Sequence, residues 1–529
     1  MKNIAKYLYI VLAASMLCAC DDFLDVMPDN RTEVDTAEKM RALLVSAYPA
    51  TDYMLLTEFS SDNVDNYGEN NPNYDRFIEQ VYGWEEITES DNESNERLWS
   101  NSYIAIACAN QVIEAIEELG GAEAAGLTAE MAEALLCRAY NHFILLNVFC
   151  QNYNAETAST DLGITYMMAP EQGLDPQYER ASVAEIYEAI EADLKVALPW
   201  VSDSYYTVPK YHFNQKAAYA FAARFYLYYE KWDESIKYAD LCLGSQPSTG
   251  LRDWEYQSTM TQQYDVIQNH YIDASLKTNL LLLTAYSKMG LVFGPYSTYS
   301  RYAHGSYLAS NEDGIALAAL LGHTNASFYW SPMRVYKATN LDKTIFWKLP
   351  YLFEYKDPVA GTGYRRTVYP AFTNDMVLLE RAEAKILRKD YDAAASDINV
   401  WMNNISKVDW NMSVEEINEA VDTLNYSTWN VSTLKKKMSP SFSVSSGIQE
   451  NMLHFVLALK RIESLGQGLR WFDIKRYGIE VERRVMGSDG LPYSKGDVLE
   501  VNDCRRALQL PRKVVDAGYE PNPRNTTEE

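Results

Sequence analysis

The strongest constraint on the fold is a pattern written twice. YAFAARFYLYYEKWDESIKYADLCL (residues 219–243) and MVLLERAEAKILRKDYDAAASDINVWM (376–402) each carry apolar residues at helical spacing, a short break and a second helical run. In each, a small residue, Ala223 or Ala382, stands nine positions before an aromatic, Trp232 or Tyr391. A second small residue, Ser235 or Ala394, follows that aromatic by three. Small side chains let two helices approach closely, and the aromatic bridges the turn between them. A chain that repeats this spacing is committed to paired helices.

Other segments extend the helical frame. Residues 98–119 have apolar spacing of the helical kind and stop at Gly120-Gly121. A second long helix is expected over roughly 128–150, with Thr128 as its N-cap. Over 181–198, Ser182 and Glu185 fit a capping box, and Pro199 is expected to end the helix. The reading is mainly α, a tetratricopeptide-like helical hairpin scaffold with long irregular loop excursions. Those excursions cover 60–97, polar and rich in turn formers, and 244–375, with many Gly, Pro, Tyr and Trp residues. Within the second, NLLLLTAYSKMG reads as a helix, and FWKLPYLFEY as a short strand or an irregular buried segment.

The N-terminus reads as a processing signal. Lys2 and Lys6 precede an apolar run, residues 7–17, too short to span a bilayer. Leu17-Cys18-Ala19-Cys20 resembles a bacterial lipobox, with Cys20 as the lipidated first residue of the mature protein. A cysteine thiolate suits the thioether to diacylglycerol, and a second acyl strand makes the tether durable. The organisation expected is a signal peptide over 1–19, a lipid-anchored tether over 20–36, and one helical body over 37–529. The ligand-binding region is placed in the loop-rich part, approximately 244–375.

Composition removes several functions. With 73 acidic against 47 basic residues the net charge is −26, opposite to what a phosphate backbone demands, so nucleic acid is excluded as a partner. Cys108, Cys137, Cys150, Cys242 and Cys504 are scattered through mostly apolar contexts and read as buried thiols. The 6 histidines form no HExxH and no zinc-ligand spacing. SDNVDNYGENN offers oxygen ligands of the type calcium takes but lacks EF-hand spacing, so a solvated turn without cofactor is expected there. Glu380 and Glu383 share a helix face, with Arg381 and Lys385 beside them, and read as a packing seam rather than a hydrolytic pair. Gly466 and Gly468 of ESLGQGLRWFD read as a tight turn packed by Arg470, Trp471 and Asp473. No catalytic residue is assigned.

Tyrosine is abundant, at 40 residues, with 11 tryptophans. Exposed aromatic rings stack on the C–H faces of sugars, while Asn, Asp and Arg satisfy the hydroxyls at the rim. DNYGENNPNY, YGW, FGPYSTYSRY, TNASFYW and GTGYRR concentrate these types outside the helical repeats. The candidates are Tyr67, Asn71, Tyr74, Trp84, Tyr296, Tyr299, Arg301, Tyr302, Asn325, Trp330 and Tyr364. A peptide receptor of the same architecture is the alternative, and a glycan-degrading enzyme a weaker one.

Taken in order, DFLDVMPDNRT, LWSNSYIAIACANQVIEAI, AEALLCRAYNHFILLNVF, RASVAEIYEAIEADLKVALP, LLERAEAKILRKDYDAAASDIN, ALKRIESLGQGLRWFDIKRYG and RRALQLPRKVVDAGYEPNPR resemble the SusD/RagB family of outer-membrane nutrient-binding lipoproteins. NVFCQNYN, with Cys150, and the terminal AGYEPNPR depart from the family pattern. The resemblance implies a body lipid-anchored at the outer face of the outer membrane. It also implies a SusC-like TonB-dependent transporter as partner, to which a captured oligosaccharide is delivered. Asp21, Asp22 and Asp25 resemble the family's surface-export signal.

Overall fold

The computed structural model describes residues 34–524 except 70, 172–177, 330–333, 339–340 and 346. The leader, Cys20 and Trp330 therefore lie outside the described residues, and the structure does not bear on them.

Short helices α1 (Ala37–Leu44), α2 (Met54–Ser60) and α3 (Arg76–Tyr82) precede the long α4 (Asn95–Glu118). Ser94 caps α4 by accepting the Arg97 N–H, and Gly120 and Gly121, both at positive φ, end the run. Next come α5 (Thr128–Phe149) and α6 (Val183–Trp200), with α5 packed between α4 and α6. Two boundaries differ from expectation. The N-cap of α5 is Leu127 rather than Thr128, and Pro199 sits inside the last turn of α6, which closes one residue later. The Ser182–Glu185 capping box forms as expected.

The repeated pattern becomes two hairpins. The first is α7 (Gln215–Tyr228) with α8 (Trp232–Leu243), the second α9 (Asn374–Leu387) with α10 (Tyr391–Ile405). In the first, the Ser235 hydroxyl donates to the Ala223 carbonyl at 2.8 Å, which places the close approach where the small residues stand. The hairpins stack directly, with α9 against both α7 and α8. Two ionic groups seal the seam. Arg224 donates to Glu380 at 2.6 Å, and Arg381 joins Asp240 to Asp397 at 2.7 and 2.6 Å. Helix α11 (Ile448–Ser464) packs on α9, and α12 (Leu469–Arg476) on α2. Lys460 of α11 holds Glu383 at 2.6 Å and Asp473 at 2.7 Å. One continuous apolar core runs through these helices.

Between α11 and α12 lies the glycine turn. Gly466 and Gly468 have φ of +81° and +76°, and a Cβ on Gly468 would fall 2.1 Å from Thr57 Oγ1. Their N–H groups donate to the Glu58 carboxylate at 3.0 and 2.8 Å. Arg470 grips Asp62 through two bonds of 2.9 Å, and Trp471 is fully buried.

Strands serve the excursions. β1 (Asp65–Asn66), β3 (Tyr302–Ala303), β8 (Val481–Met486) and β9 (Pro492–Leu499) form one sheet in the order β3-β1-β8-β9. β2 (Asn279–Tyr286), β6 (Leu352–Asp357) and β7 (Thr362–Thr373) form a second, with β7 central, and β4 (Arg334–Ala338) pairs with β5 (Leu341–Ile345). NLLLLTAYSKMG is thus a strand and not a helix, followed only by a four-residue helix at Met289–Val292. Its leucines are buried on both faces, so they form an unbroken apolar run that periodicity alone does not resolve. The segment 62–65 is also not a solvated turn: Asp65 pairs with Arg484 at 2.6 Å, and Asn63 and Asp65 are buried.

Candidate functional site

Two of the aromatic stretches come together by backbone pairing. Asp65 and Asn66 pair antiparallel with Ala303 and Tyr302, Tyr67 N–H donates to the Arg301 carbonyl at 2.7 Å, and Arg301 N–H to the Asn73 carbonyl at 3.1 Å. This zipper carries Tyr74, which is half exposed, beneath the Arg301 guanidinium at 5.4 Å. On the other side of Arg301 lies Tyr302, again at 5.4 Å.

Several candidates from these stretches are not surface residues. Tyr302 is buried, with its ring 4.6 Å from Tyr82 and its hydroxyl on Glu79. Asn71 is buried, accepting the Asn73 N–H at 2.9 Å and donating to Ser300 at 3.4 Å. Tyr67 packs its buried hydroxyl against Gly305. Trp84 is the clearest correction: it is 8% exposed, its Nε1 donates to the Ser60 carbonyl at 2.9 Å, and Arg483 and Arg505 lie over its ring at 4.1 and 5.5 Å. Two guanidiniums from the C-terminal part of the chain thus occupy the indole face that was expected to stack on a ligand. Asn325 stands in a 3-10 turn tied to residues 405–407, apart from the zipper's bonds.

Four exposed aromatics, Tyr296, Phe353, Tyr355 and Tyr364, lie on β6, β7 and the segment leading to β3. Tyr296 is 38% exposed, with its ring 6.0 Å from Tyr351, and Tyr264 supports it from 6.3 Å. Lys343 donates from beneath to the Tyr296 carbonyl at 2.9 Å, and burial pulls its ammonium down to about 7. Tyr299 adopts φ +63°, a left-handed conformation rare for an aromatic, and its hydroxyl accepts from Arg365 Nη1 at 3.2 Å.

Strand register sorts the rest. Phe353 pairs with Arg365 and Tyr355 with Gly363, so Phe353, Tyr355 and Arg365 share one face of the hairpin. Glu354, Tyr364, Arg366 and the β2 residue Tyr286 share the other. Tyr364 packs edge-on against Tyr286 at 5.3 Å, and Arg366 is neutralised by Glu354. Tyr296, Tyr299, Tyr351, Phe353 and Tyr355 around Arg365 therefore form a partly exposed aromatic platform. Sequence reading found Tyr296 and Tyr299. It missed Tyr351, Phe353, Tyr355 and Arg365, although GTGYRR contains the last of these.

An apolar cavity of about 410 Å³ lies elsewhere, lined by Trp99, Tyr103, Ile106, Met167, Val514 and Tyr519 among others. Several of its polar groups are bonded to one another, with Tyr103 on the Thr165 carbonyl, Tyr519 on the Thr165 hydroxyl and Asn110 on the Met167 carbonyl. A mostly apolar lining suits a polyhydroxylated ligand less well than the open platform does. Among the described residues no group of three or more His, Cys, Asp or Glu could hold a metal, and no helix is long and apolar enough to cross a membrane.

Residues 22–227 match the SusD-like family model described as "Starch-binding associating with outer membrane". Over those residues the chain is similar to the SusD-like family. Solved structures repeat its fold over nearly the whole chain. A SusD superfamily protein from Bacteroides vulgatus superposes with a TM-score of 0.62 at 18% identity, covering 93% of this chain and 99% of its own. One from Bacteroides thetaiotaomicron gives 0.62 at 17%, covering 92% and 100%. A laminarin-binding SusD-like protein gives 0.54 at 15%, covering 92% and 99%. No curated protein matches the chain by sequence.

Proposed function

We propose that this protein is a SusD-like cell-surface receptor that captures oligosaccharides on the platform around Tyr296, Tyr299 and Tyr351. It would be held at the outer membrane by lipid on Cys20, and would pass its cargo to a SusC-like TonB-dependent transporter. The observation that carries this reading is the platform itself: aromatic rings partly exposed, braced from behind by Tyr264 and Lys343, and bordered by a guanidinium. Rings of this kind bind sugar faces through several weak contacts, which suits a receptor that must release what it captures. The family description and the laminarin-binding relative support the same ligand class. The role is non-catalytic. Glu380 and Glu383, the carboxylate pair of one helix face, are buried and held by Arg224, Lys460 and Arg476.

The test is a binding screen of the mature ectodomain against mixed oligosaccharides and peptides. Saturable oligosaccharide binding without cleavage is expected, whereas peptide binding alone would overturn the reading. The N-terminal peptide of the membrane form should carry acyl chains on Cys20, and Cys20→Ala should release a folded protein from the membrane. Gentle detergent extraction should co-purify a β-barrel transporter; recovery as a monomer under every mild condition would contradict the partnership.

A further inference from the structure

We infer that the oligosaccharide taken by this platform is anionic, bearing uronate carboxylates, and that Arg365 is the residue that recognises them. The inference rests on the glycan-capture reading and adds the ligand's charge class.

The cations near the platform differ in what they already hold. Lys288 is buried beneath Tyr299 and bound to Asp91 at 2.7 Å and Asp75 at 3.4 Å. Arg366 is neutralised by Glu354. Arg301 lies between the Tyr74 and Tyr302 rings, with Glu79 at 4.0 Å. Arg365 is exposed and has no carboxylate partner among the described residues. Register explains why: the neighbouring acid, Glu354, lies on the opposite face of the hairpin, paired across the strands with Tyr364.

What holds Arg365 instead is phenolic. Its Nη1 donates to the Tyr299 hydroxyl at 3.2 Å, and the Tyr351 hydroxyl also engages the guanidinium. Two neutral acceptors orient the group without cancelling its charge. The strained φ of +63° at Tyr299 is part of that arrangement. An oriented guanidinium presents a planar fork that matches a carboxylate through two parallel N–H···O bonds. Phe353 shares its face, so a sugar ring stacked there would set a ring carboxylate beside Arg365. The whole chain carries a net charge of −26, which repels an anion at long range, so recognition has to come from a local cation of this kind.

The test compares ligands that differ only in charge. Calorimetric titrations of the mature ectodomain would use oligogalacturonate and its methyl ester, and alginate and glucuronoxylan oligosaccharides with their carboxyl-reduced forms. At least one acid should bind about tenfold or more tighter than its neutral counterpart, a difference of about 1.4 kcal/mol. In Arg365→Gln that acid should fall to the affinity of its neutral form, with the melting temperature unchanged. Arg365→Lys, which keeps the charge and loses the fork, should recover only part of the preference. Equal or tighter binding of every neutral form would overturn the inference and leave the platform standing, as would an acid preference that survives in Arg365→Gln. Absence of binding by any carbohydrate would remove the platform reading and the inference together.

Discussion

Removing Arg224 or Glu380 alone should destabilise the protein more than removing both. The two side chains are 4% and 1% exposed and meet at 2.6 Å across the seam between the hairpins. Arg224→Met leaves a carboxylate in that seam, and Glu380→Leu leaves a guanidinium. Stranding one charge in a buried site costs about 3–5 kcal/mol. The pair is also incompletely satisfied, since Arg224 Nη2 and Glu380 Oε2 are buried without hydrogen-bond partners. Replacing both with apolar groups of similar volume therefore gives up the 2.6 Å bond and a weaker 3.3 Å bond from Arg224 to the Ala371 carbonyl but relieves two unsatisfied atoms, so the double variant should lie within about 1 kcal/mol of wild type. Unfolding entropy near 2.1 cal/mol/K per residue, over a body of about 490 residues, makes 1 kcal/mol worth about 1 °C. Each single variant should lose about 3–5 °C in a thermal melt, and the double variant about 1 °C or less. A double variant that loses the sum of the two singles would refute the reasoning.

Three further outcomes follow from the same geometry. Trp84→Ala should cost about 3–5 kcal/mol by emptying a site packed under Arg483, and leave oligosaccharide affinity unchanged; lost binding at full stability would return Trp84 to the site. Glu93 is buried beside Asp52 and desolvation raises its carboxyl from 4.5 to about 8, so the folded state keeps a proton that the unfolded chain has released. Its contribution to stability is complete below pH 4.5 and is lost as pH rises towards 8, so Glu93→Gln should flatten the fall in melting temperature between pH 5 and 8. Gly468→Ala should destabilise strongly, because the new Cβ would lie 2.1 Å from Thr57 Oγ1 and 3.0 Å from Met54 Cα at a φ of +76°; an unchanged melting temperature would deny that the turn is fixed.

The parts legible in sequence were those specified by local spacing. Ala223, Trp232 and Ser235 sit a fixed distance apart, and the Ser235–Ala223 bond forms where that spacing predicts. Ser182 and Glu185 cap each other within one turn. The parts that were not legible depend on distant partners. Trp84 has the surroundings of a binding loop, and only the arrival of Arg483 and Arg505 makes it core. Asp65 reads as a turn residue until Arg484 is placed beside it. Arg365 and Arg366 are adjacent and chemically identical, and the β6–β7 register alone decides which is neutralised.

The most direct test of the account is a crystal structure of the mature ectodomain with an oligosaccharide identified in the binding screen. The account predicts sugar density against Tyr296, Tyr299 and Tyr351 on the Arg365 face of the β6–β7 hairpin, with α7 to α10 unmoved. Density in the Trp99–Tyr519 cavity, with the platform empty at saturating ligand, would contradict it.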